Sequence, residues 1–482
     1  MRQSPTWRLF VAVLSSFLAF SVHAESALNL PVPSPEVTLL RIANADTLCK
    51  NETLEPTTKI IRGKRVIAER PVILCAYKES DASWHVVKIL VQYPLPDCFR
   101  KSRPTDRHLR CGAFPFRTVT PGYGVEYVSG LGVPRLTFSV SHQGERLKVY
   151  RYRHIWFEDR LAPTTPAKAM VASARWVEYT PYAKDFHDDE HVRAGAVFLY
   201  KKITAALGEL RAASVQSRTY PRLLADVISW KHLINLALIE QMDHDSFNGF
   251  GACRSPAERG LSDEETERRI FCKEESAKRT AEAVLVEYAL NREQSFYFSR
   301  SSFPFRNRTE HAYGAMQFTN HHGTYSRVVR ECSVAQLITA FPEGALDLGN
   351  AIKAAACLLD LELAALPLPV QELFAANPKI GGIYPVAAYN EGGDGAQQLY
   401  RRILASGINL ATLSDEDLEL PESVFNRSRG CNNCRRGNSR MRTVWNEQTY
   451  VYIKKYMYVW KFLEELNLDS AGAMITQDPA TP

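Results

Sequence analysis

The sequence predicts an α+β protein, in which a β-rich N-terminal domain with a sandwich or barrel-like sheet precedes a mostly α-helical domain. The first observation is length, because 482 residues favour two domains. The second is a change of hydrophobic pattern near residue 190. Short β-branched and aromatic runs come before it, and apolar residues spaced by three and four come after it. We therefore expect a β-rich domain at 25–185, a helical domain at 190–470 and a flexible tail at 471–482.

Seven segments of the first domain have the composition of strands, and Pro, Gly, Asp and Asn clusters separate them. They are VTLLRI, KIIRG, VILCAY, WHVVKILVQY, GVEYVSG, RLTFSVS and LKVYRYRHIWF. Near the end of this domain, His187 and His191 lie four residues apart among acidic residues. That spacing suits a metal on a helix, but a solvated linker or a helix start is the more common explanation.

Helical periodicity marks five segments of the second domain. They are 192–213, 221–242 (one helix or a pair), 276–292, 346–366 and 449–466.

Residues 1–24 have the features of a secretory signal peptide. Arg2 and Arg8 form a basic start, residues 9–20 form an apolar core too short to span a membrane, and Val22-His23-Ala24 is a small-residue cleavage site. We expect cleavage after Ala24, and no Cys directly follows that position to carry a bacterial lipid anchor. The mature protein is therefore predicted to be periplasmic or secreted, without stable membrane insertion.

The cysteine content agrees with export. All ten cysteines follow residue 24, and an even number in an oxidising compartment favours disulfides. Only Cys431 and Cys434 have the spacing of a zinc-ligand pair, and no second pair matches them, so disulfides are preferred to zinc and redox chemistry is a minor alternative. No metal or cofactor is expected. Proximity in the sequence suggests the pairs Cys49 and Cys75, Cys98 and Cys111, Cys253 and Cys272, Cys332 and Cys357, and Cys431 and Cys434.

The net charge limits the classes of binding partner that the sequence supports. The net charge is +6, and the basic residues are dispersed without a block of five like charges. Nucleic-acid binding therefore has little support. A mildly basic exported protein can favour an anionic polymer such as cell-wall glycan, although ordinary solubility explains the charge equally well.

Glu293 is the first candidate catalytic group, because it closes an apolar, helix-like run (AEAVLVEYALNRE). Val286, Ala289 and Leu290 lie seven, four and three residues before it, on the same helical face. A carboxyl group on an apolar face is desolvated, which raises its pKa. A proton held near neutral pH is what a general acid requires.

Four short motifs occur in order along the chain, and the first begins at Glu293. They are Glu-x-x-Phe (Glu293 and Phe296), Gly-Ala-Met-Gln (314–317), Ala-Ala-Tyr-Asn-x-Gly-Gly (387–393) and Glu-x-Thr-Tyr-Val (447–451). Together they resemble the soluble lytic transglycosylase family of the lysozyme-like superfamily, over roughly residues 230–465. The resemblance implies a lysozyme-like catalytic domain that acts on peptidoglycan glycan strands. Gln294 stands where the family usually has Ser after its catalytic Glu.

The same resemblance implies a reaction and roles for individual residues. One carboxyl group protonates the β-1,4 bond between N-acetylmuramic acid and N-acetylglucosamine, the substrate's N-acetyl group assists, and a 1,6-anhydro ring forms without water or metal. Tyr389 would support that carboxyl group. Residues that would contact the glycan are Gly314, Met316, Gln317, Asn390 and Tyr450.

Glu240 is the alternative acid. It too closes an apolar helix, with Leu233, Leu236 and Ala237 on its face. Glu293 is preferred because its distance from the Gly-Ala-Met-Gln turn is close to that of the family, whereas Glu240 lies some 74 residues before it.

Two other functions stay open. One is a muramidase, with the same site and water as the nucleophile. The other is a non-catalytic peptidoglycan-binding or scaffold protein, which Gln294 favours. The N-terminal domain leaves room for cell-envelope protein partners.

Overall fold

The computed structural model describes residues 33–96, 113–129, 136–157, 174–180, 189–242, 281–286 without 283, 301–305, 308–320, 323–405, 407, 409 and 439–468. An N-terminal antiparallel sheet, nearly barrel-shaped, precedes a helical region. This architecture confirms the α+β class and the predicted order of its parts. The lysozyme-like character of the helical part stays a prediction.

The sheet has eight strands in the order β4-β3-β2-β7-β6-β5, with β1 paired to β2 and β8 paired to β7. Each pairing is antiparallel. Six strands coincide with predicted segments, whereas β4 and β8 were not predicted. Their bounds are β1 Thr57–Ile61, β2 Lys64–Lys78, β3 Ser83–Gln92, β4 Phe116–Thr118, β5 Tyr123–Ser129, β6 Leu136–His142, β7 Glu145–Phe157 and β8 Ala174–Tyr179.

The first predicted strand is wrong, because VTLLRI lies in a helix, α1, at Pro35–Lys50. The Ser34 side chain accepts a hydrogen bond from the Val37 N–H, and Pro35 occupies the first turn, so strong start signals favour a helix. The periodicity also fits, since the buried residues of α1 are spaced by four, three and four. They are Thr38, Ile42, Ala45 and Cys49.

The two faces of the sheet have different partners. Val72 and Leu74 of β2 lie in the core enclosed by the sheet. Ile73 and Cys75, which point the other way, pack beneath α1. Residues 71–77 of strand β2 are therefore apolar on both faces, and they form a continuous hydrophobic run in the sequence.

Two of the predicted disulfides are confirmed. Cys49 bonds to Cys75, which fixes α1 to β2, and Cys332 bonds to Cys357. The other six cysteines lie outside the described residues. Two disulfides fit an extracellular or periplasmic protein. The described helices include none that is both long and apolar enough to cross a membrane.

The helical region contains eleven α-helices within the described residues, a two-stranded hairpin and one 3-10 turn at Ser333–Ala335. Residues 281, 282 and 284–286 are also helical and buried. The helices are α2 Asp189–Ala212, α3 Leu224–Val227, α4 Trp230–Gln241, α5 Thr324–Glu331, α6 Glu343–Leu346, α7 Leu348–Ala364, α8 Leu368–Ala376, α9 Pro378–Gly381, α10 Ile383–Glu391, α11 Gly393–Ala405 and α12 Ser439–Leu466, and the hairpin is β9 Ser301–Phe305 with β10 Arg308–Ala312.

Helix α7 is the centre of this region. It contacts α2, α3, α4, α5 and α10. Small side chains allow these helices to approach closely, and Ala351, Ala354, Ala355 and Ala356 are completely buried. The predicted helix at 346–366 is confirmed, and the segment 221–242 is a pair of helices, α3 and α4.

The junction of the two parts is a buried ionic network at the start of α2. Glu190 is 1 % exposed and accepts hydrogen bonds from Thr38 Oγ1 (2.5 Å), from Tyr150 OH (3.0 Å) and from the Lys148 ammonium. His191 is buried and stacks on Tyr150. The helix-start interpretation of this segment is thus confirmed, and the solvated-linker interpretation is wrong for Glu190 and His191. His187 lies outside the described residues.

Glu190→Ala should lower the free energy of unfolding by about 3–5 kcal/mol, because it removes the buried carboxylate to which Thr38, Tyr150 and Lys148 donate. Urea unfolding of the oxidised protein measures this change. Glu209→Ala on the same helix removes an exposed pair with Lys353 and should cost less than about 1 kcal/mol. Equal losses in the two variants would contradict a central role for the network.

Candidate functional site

Helix α4 carries Glu240 into the helical core. Its residues from His232 to Ile239 are all buried, and Leu233, Leu236 and Ala237 form the face that the sequence predicted. The helix ends at Gln241, where the Met242 N–H still donates to the Leu238 carbonyl. Glu240 therefore lies in the last turn and is only partly exposed. The negative end of the helix dipole disfavours the ionised form of the Glu240 carboxyl group there.

The carboxyl group of Glu240 is held by the last helix of the described chain. Tyr452 of α12 donates its hydroxyl hydrogen bond to Oε1 of Glu240. Burial raises the pKa of Glu240 to about 7, and the Tyr452 hydrogen bond and the positive charge of Lys455 oppose that rise. Lys455 is itself buried and donates to the Met242 carbonyl at 2.6 Å. Glu240 can thus keep a proton close to neutral pH.

A second phenol approaches from α10. The hydroxyl of Tyr389 donates to the Met316 carbonyl at 2.7 Å. Burial and then the Glu240 carboxylate raise the pKa of Tyr389 well above its ordinary value. Burial, the Glu240 charge and hydrogen bond, and Tyr389 do the same to the pKa of Tyr452. Glu240, Tyr389 and Tyr452 therefore form one cluster of two phenols around a carboxyl group.

The Gly-Ala-Met-Gln turn borders this cluster. Backbone hydrogen bonds between Tyr313 and Phe318 (2.9 and 3.0 Å) close it. Gln241, the neighbour of Glu240, donates its side-chain N–H to the carbonyls of Gly314 and Ala315 at 3.4 and 3.3 Å. Gln317 donates to the Gly314 carbonyl at 3.0 Å. The turn is thereby fixed to the end of α4.

Position 314 requires glycine for two reasons. Its φ is +73°, in the left-handed region, and a Cβ atom there would lie 1.8 Å from the Ala345 carbonyl oxygen. A side chain at this position would therefore obstruct the bend, and the Ala345 carbonyl oxygen is the obstructing atom.

The remaining predicted site residues are distributed as follows. Met316 is completely buried, so it offers its carbonyl to Tyr389 while its side chain packs in the core. Asn390 is exposed and follows Tyr389 at the end of α10. Tyr450 belongs to α12, but its side chain is outside the described part of the structure, and Glu293 lies outside the described residues altogether.

Sequence reasoning missed Tyr452 and Gln241. Tyr452 lies four residues before Tyr456 on α12, and both side chains are buried. A buried tyrosine needs a partner for its hydroxyl, so this spacing could have indicated that the helix delivers phenols to a polar group. Gln241 carried no comparable signal.

Glu391 is another carboxyl group whose pKa burial raises to about 7, against the opposing charge of Arg402. Its Oε1 atom is buried without a hydrogen-bond partner among the described residues. Helical geometry turns it about 200° from Tyr389, toward Gly395 of α11. It is therefore separate from the Glu240 cluster.

Comparisons with other proteins do not identify the family. No protein-family model, curated protein or solved structure gave a significant match.

Gly314→Ala should lower the free energy of unfolding by about 2 kcal/mol or more, since it combines left-handed strain with a backbone clash. Gly323→Ala is the matched control, because its φ is +72° and no atom lies within 4 Å of an added Cβ. That variant should lose only about 1 kcal/mol. Urea unfolding distinguishes the two, and equal losses would show that the Ala345 contact is unimportant.

Glu240→Gln should stabilise the protein above pH 7. The native pKa of about 7 exceeds the ordinary 4.5, so native Glu240 binds its proton more tightly than unfolded Glu240 does. That contribution is complete below pH 4.5 and is lost as the pH rises through 7, a change of about 1–3 kcal/mol. Gln does not titrate, so the variant should match wild type at pH 4.5 and exceed it at pH 8.

Urea unfolding at the two pH values tests this expectation. Glu209→Gln removes a carboxylate that is 62 % exposed on its side chain, and it should show no such difference. If the stability gap between Glu240→Gln and wild type is the same at both pH values, Glu240 titrates like an ordinary surface carboxyl group.

Proposed function

We propose that this protein is a periplasmic or secreted lytic transglycosylase that cleaves peptidoglycan glycan strands, with Glu240 as its single acid and base. The observation that carries the proposal is the carboxyl group of Glu240. It has a pKa of about 7, a phenol donor on Oε1 and a second phenol beside it. A carboxyl group of this kind is protonated often enough at neutral pH to act as a general acid.

The arrangement favours Glu240 over the acid that the sequence preferred. Two of the four family-like motifs lie near Glu240: the Gly-Ala-Met-Gln turn, which Gln241 contacts, and the Ala-Tyr-Asn segment, through Tyr389. Tyr452, which donates to Glu240, directly follows the fourth motif on α12. Glu293 lies outside the described residues, and its role stays a prediction. The sequence separation of Glu240 from the turn is compatible with this assignment, because a long insertion costs little closure entropy.

The proposed reaction begins with protonated Glu240 close to the glycosidic oxygen. The proton moves to that oxygen as the bond to the anomeric carbon of N-acetylmuramic acid breaks, and the substrate's N-acetyl oxygen bonds to the anomeric carbon. The Glu240 carboxylate then takes the proton of the C6 hydroxyl. Oxygen O6 displaces the N-acetyl oxygen, the 1,6-anhydro ring closes and Glu240 is protonated again.

The surrounding residues have distinct tasks in this scheme. Tyr452 fixes the rotamer of the carboxyl group through its hydrogen bond, and it stabilises the carboxylate between the two proton transfers. Tyr389 donates to the Met316 carbonyl, and it lies close enough to Glu240 for the carboxylate to raise its pKa. Asn390 is exposed next to it and is suited to bind an amide of the substrate.

The proposed scheme uses one carboxylate, that of Glu240. A hydrolase with paired carboxylates would place a second acidic group near the substrate to activate water. Muramidase activity is thus the second candidate, and the products distinguish it.

The test is mass spectrometry of purified peptidoglycan after incubation with residues 25–482. Wild type and Glu293→Gln should release 1,6-anhydromuramic products, and Glu240→Gln should lose about 10²–10⁴-fold in rate because the proton donor is gone. The wild-type rate should fall as the pH rises above 7, where Glu240 loses its proton.

Other outcomes would replace the proposal. Loss of activity in Glu293→Gln, with Glu240→Gln active, would make Glu293 the acid. Reducing-end products would identify a muramidase. Glycan pulled down without any cleavage would identify a peptidoglycan-binding protein.

A further inference from the structure

A projecting hairpin of the N-terminal sheet has no role in the proposed catalysis. Strands β1 and β2 pair from Ile61 and Lys64 back to Thr57 and Glu69. Because β2 pairs with β3 only from Glu69 onward and with β7 only from Val72 onward, the part of β2 before Glu69 pairs with β1 alone. Every residue from 58 to 65 is exposed. We call residues 57–68 the basic hairpin.

The tip of the basic hairpin is conformationally defined. Arg62 and Gly63 have φ angles of 51° and 75°, and two consecutive positive φ values in a two-residue loop are those of a type I′ turn. This turn matches the twist of the paired strands, so the tip is presented as a fixed shape.

The composition of the tip is unusual for an exposed surface. Ile60 is 72 % exposed and Ile61 is 42 % exposed. Ile60 pairs with Arg65 and Ile61 pairs with Lys64, so each face of the hairpin carries one isoleucine beside one cation. Exposed isoleucines gain free energy when a partner removes them from water.

The charge of the hairpin is of one sign. Lys59, Arg62, Lys64 and Arg65 are its cations, and no Asp or Glu occurs from residue 56 to residue 68. None of these four side chains forms an ion pair with another described residue. Their charge is therefore available for an anionic partner.

We propose that the basic hairpin docks the protein on anionic phospholipid at a membrane surface, without spanning it. Isoleucines at a fixed tip suit the interface between headgroups and acyl chains, and flanking lysine and arginine side chains suit the phosphates. A hydrated glycan would match the charge but would leave both isoleucines in water. The chemistry thus favours a lipid surface over the glycan that the active site is proposed to cleave.

Vesicle sedimentation tests the proposal with residues 25–482. Phosphatidylcholine vesicles containing 30 % phosphatidylglycerol should pellet the protein, and pure phosphatidylcholine vesicles should not. Lys59→Gln/Lys64→Gln should weaken binding about tenfold or more at low salt, because each cation near an anionic surface contributes several-fold. Ile60→Ser/Ile61→Ser should also weaken binding, and the weakening should persist at high salt.

Matched controls lie on the helical domain. Leu368→Ser/Leu404→Ser removes apolar side chains of similar exposure, 64 % and 47 %. Arg401→Gln/Lys461→Gln removes two exposed cations. Both controls should bind as wild type does, and so should Glu240→Gln, so that failure of the catalytic proposal leaves this test unaffected. Circular dichroism of each variant confirms folding.

Three results would overturn the proposal. The protein could fail to pellet with anionic vesicles. The hairpin variants could bind as tightly as the controls. Finally, the charge variant could lose binding to purified peptidoglycan sacculi while no form of the protein binds vesicles, which would make glycan the partner of the hairpin.

Discussion

The hydrogen bond from Tyr452 to Glu240 joins residues that are 212 positions apart, and the proposed site depends on it. Two further bonds hold the same helices together: Asn235 donates to the Tyr456 carbonyl at 2.8 Å, and Lys455 donates to the Met242 carbonyl at 2.6 Å. All three are partly or completely removed from water, where such bonds are strong and their loss is costly. The carboxyl group therefore acquires its special environment only when α4, α10 and α12 are packed together.

The buried environment of Glu240 lowers the free energy of unfolding when the carboxyl group is ionised. A carboxyl group whose pKa is raised by burial destabilises the folded state at every pH where it is ionised. The core around α7 offsets this cost, because its buried alanines and leucines allow several helices to pack closely. The position of Lys455 has a similar effect, since its charge lowers the pKa of Glu240 and its ammonium group satisfies a carbonyl at the end of α4. A protein with a smaller core would have a smaller free energy of unfolding, and the same ionised carboxyl group would remove a larger share of it.

Much of the fold followed from local patterns, and the failures have physical causes. Strand β3 and helix α7 were predictable because a short run of β-branched and aromatic residues favours a strand, whereas apolar residues spaced by three and four favour a helix. Helix α1 was mistaken for a strand because its β-branched residues outweighed the cap at Ser34 and Pro35 in a composition-based reading. The pairs Cys49–Cys75 and Cys332–Cys357 were predictable because neighbouring cysteines close short loops at low entropic cost.

The sequence predicted two candidate carboxyl groups for the site, but it could not decide between them. Glu240 and Glu293 each close an apolar helical run. Local periodicity therefore predicts desolvation and a raised pKa for both carboxyl groups. The spacing to the Gly-Ala-Met-Gln turn was used to choose between them, yet chain length between two elements does not fix their distance in space. Glu240 is the proposed acid because of tertiary contacts: Tyr452 comes from α12, Tyr389 comes from α10, and Gln241 reaches the turn. Such contacts join residues that are far apart in the sequence, so local periodicity does not predict them, and they form only when the helices are assembled.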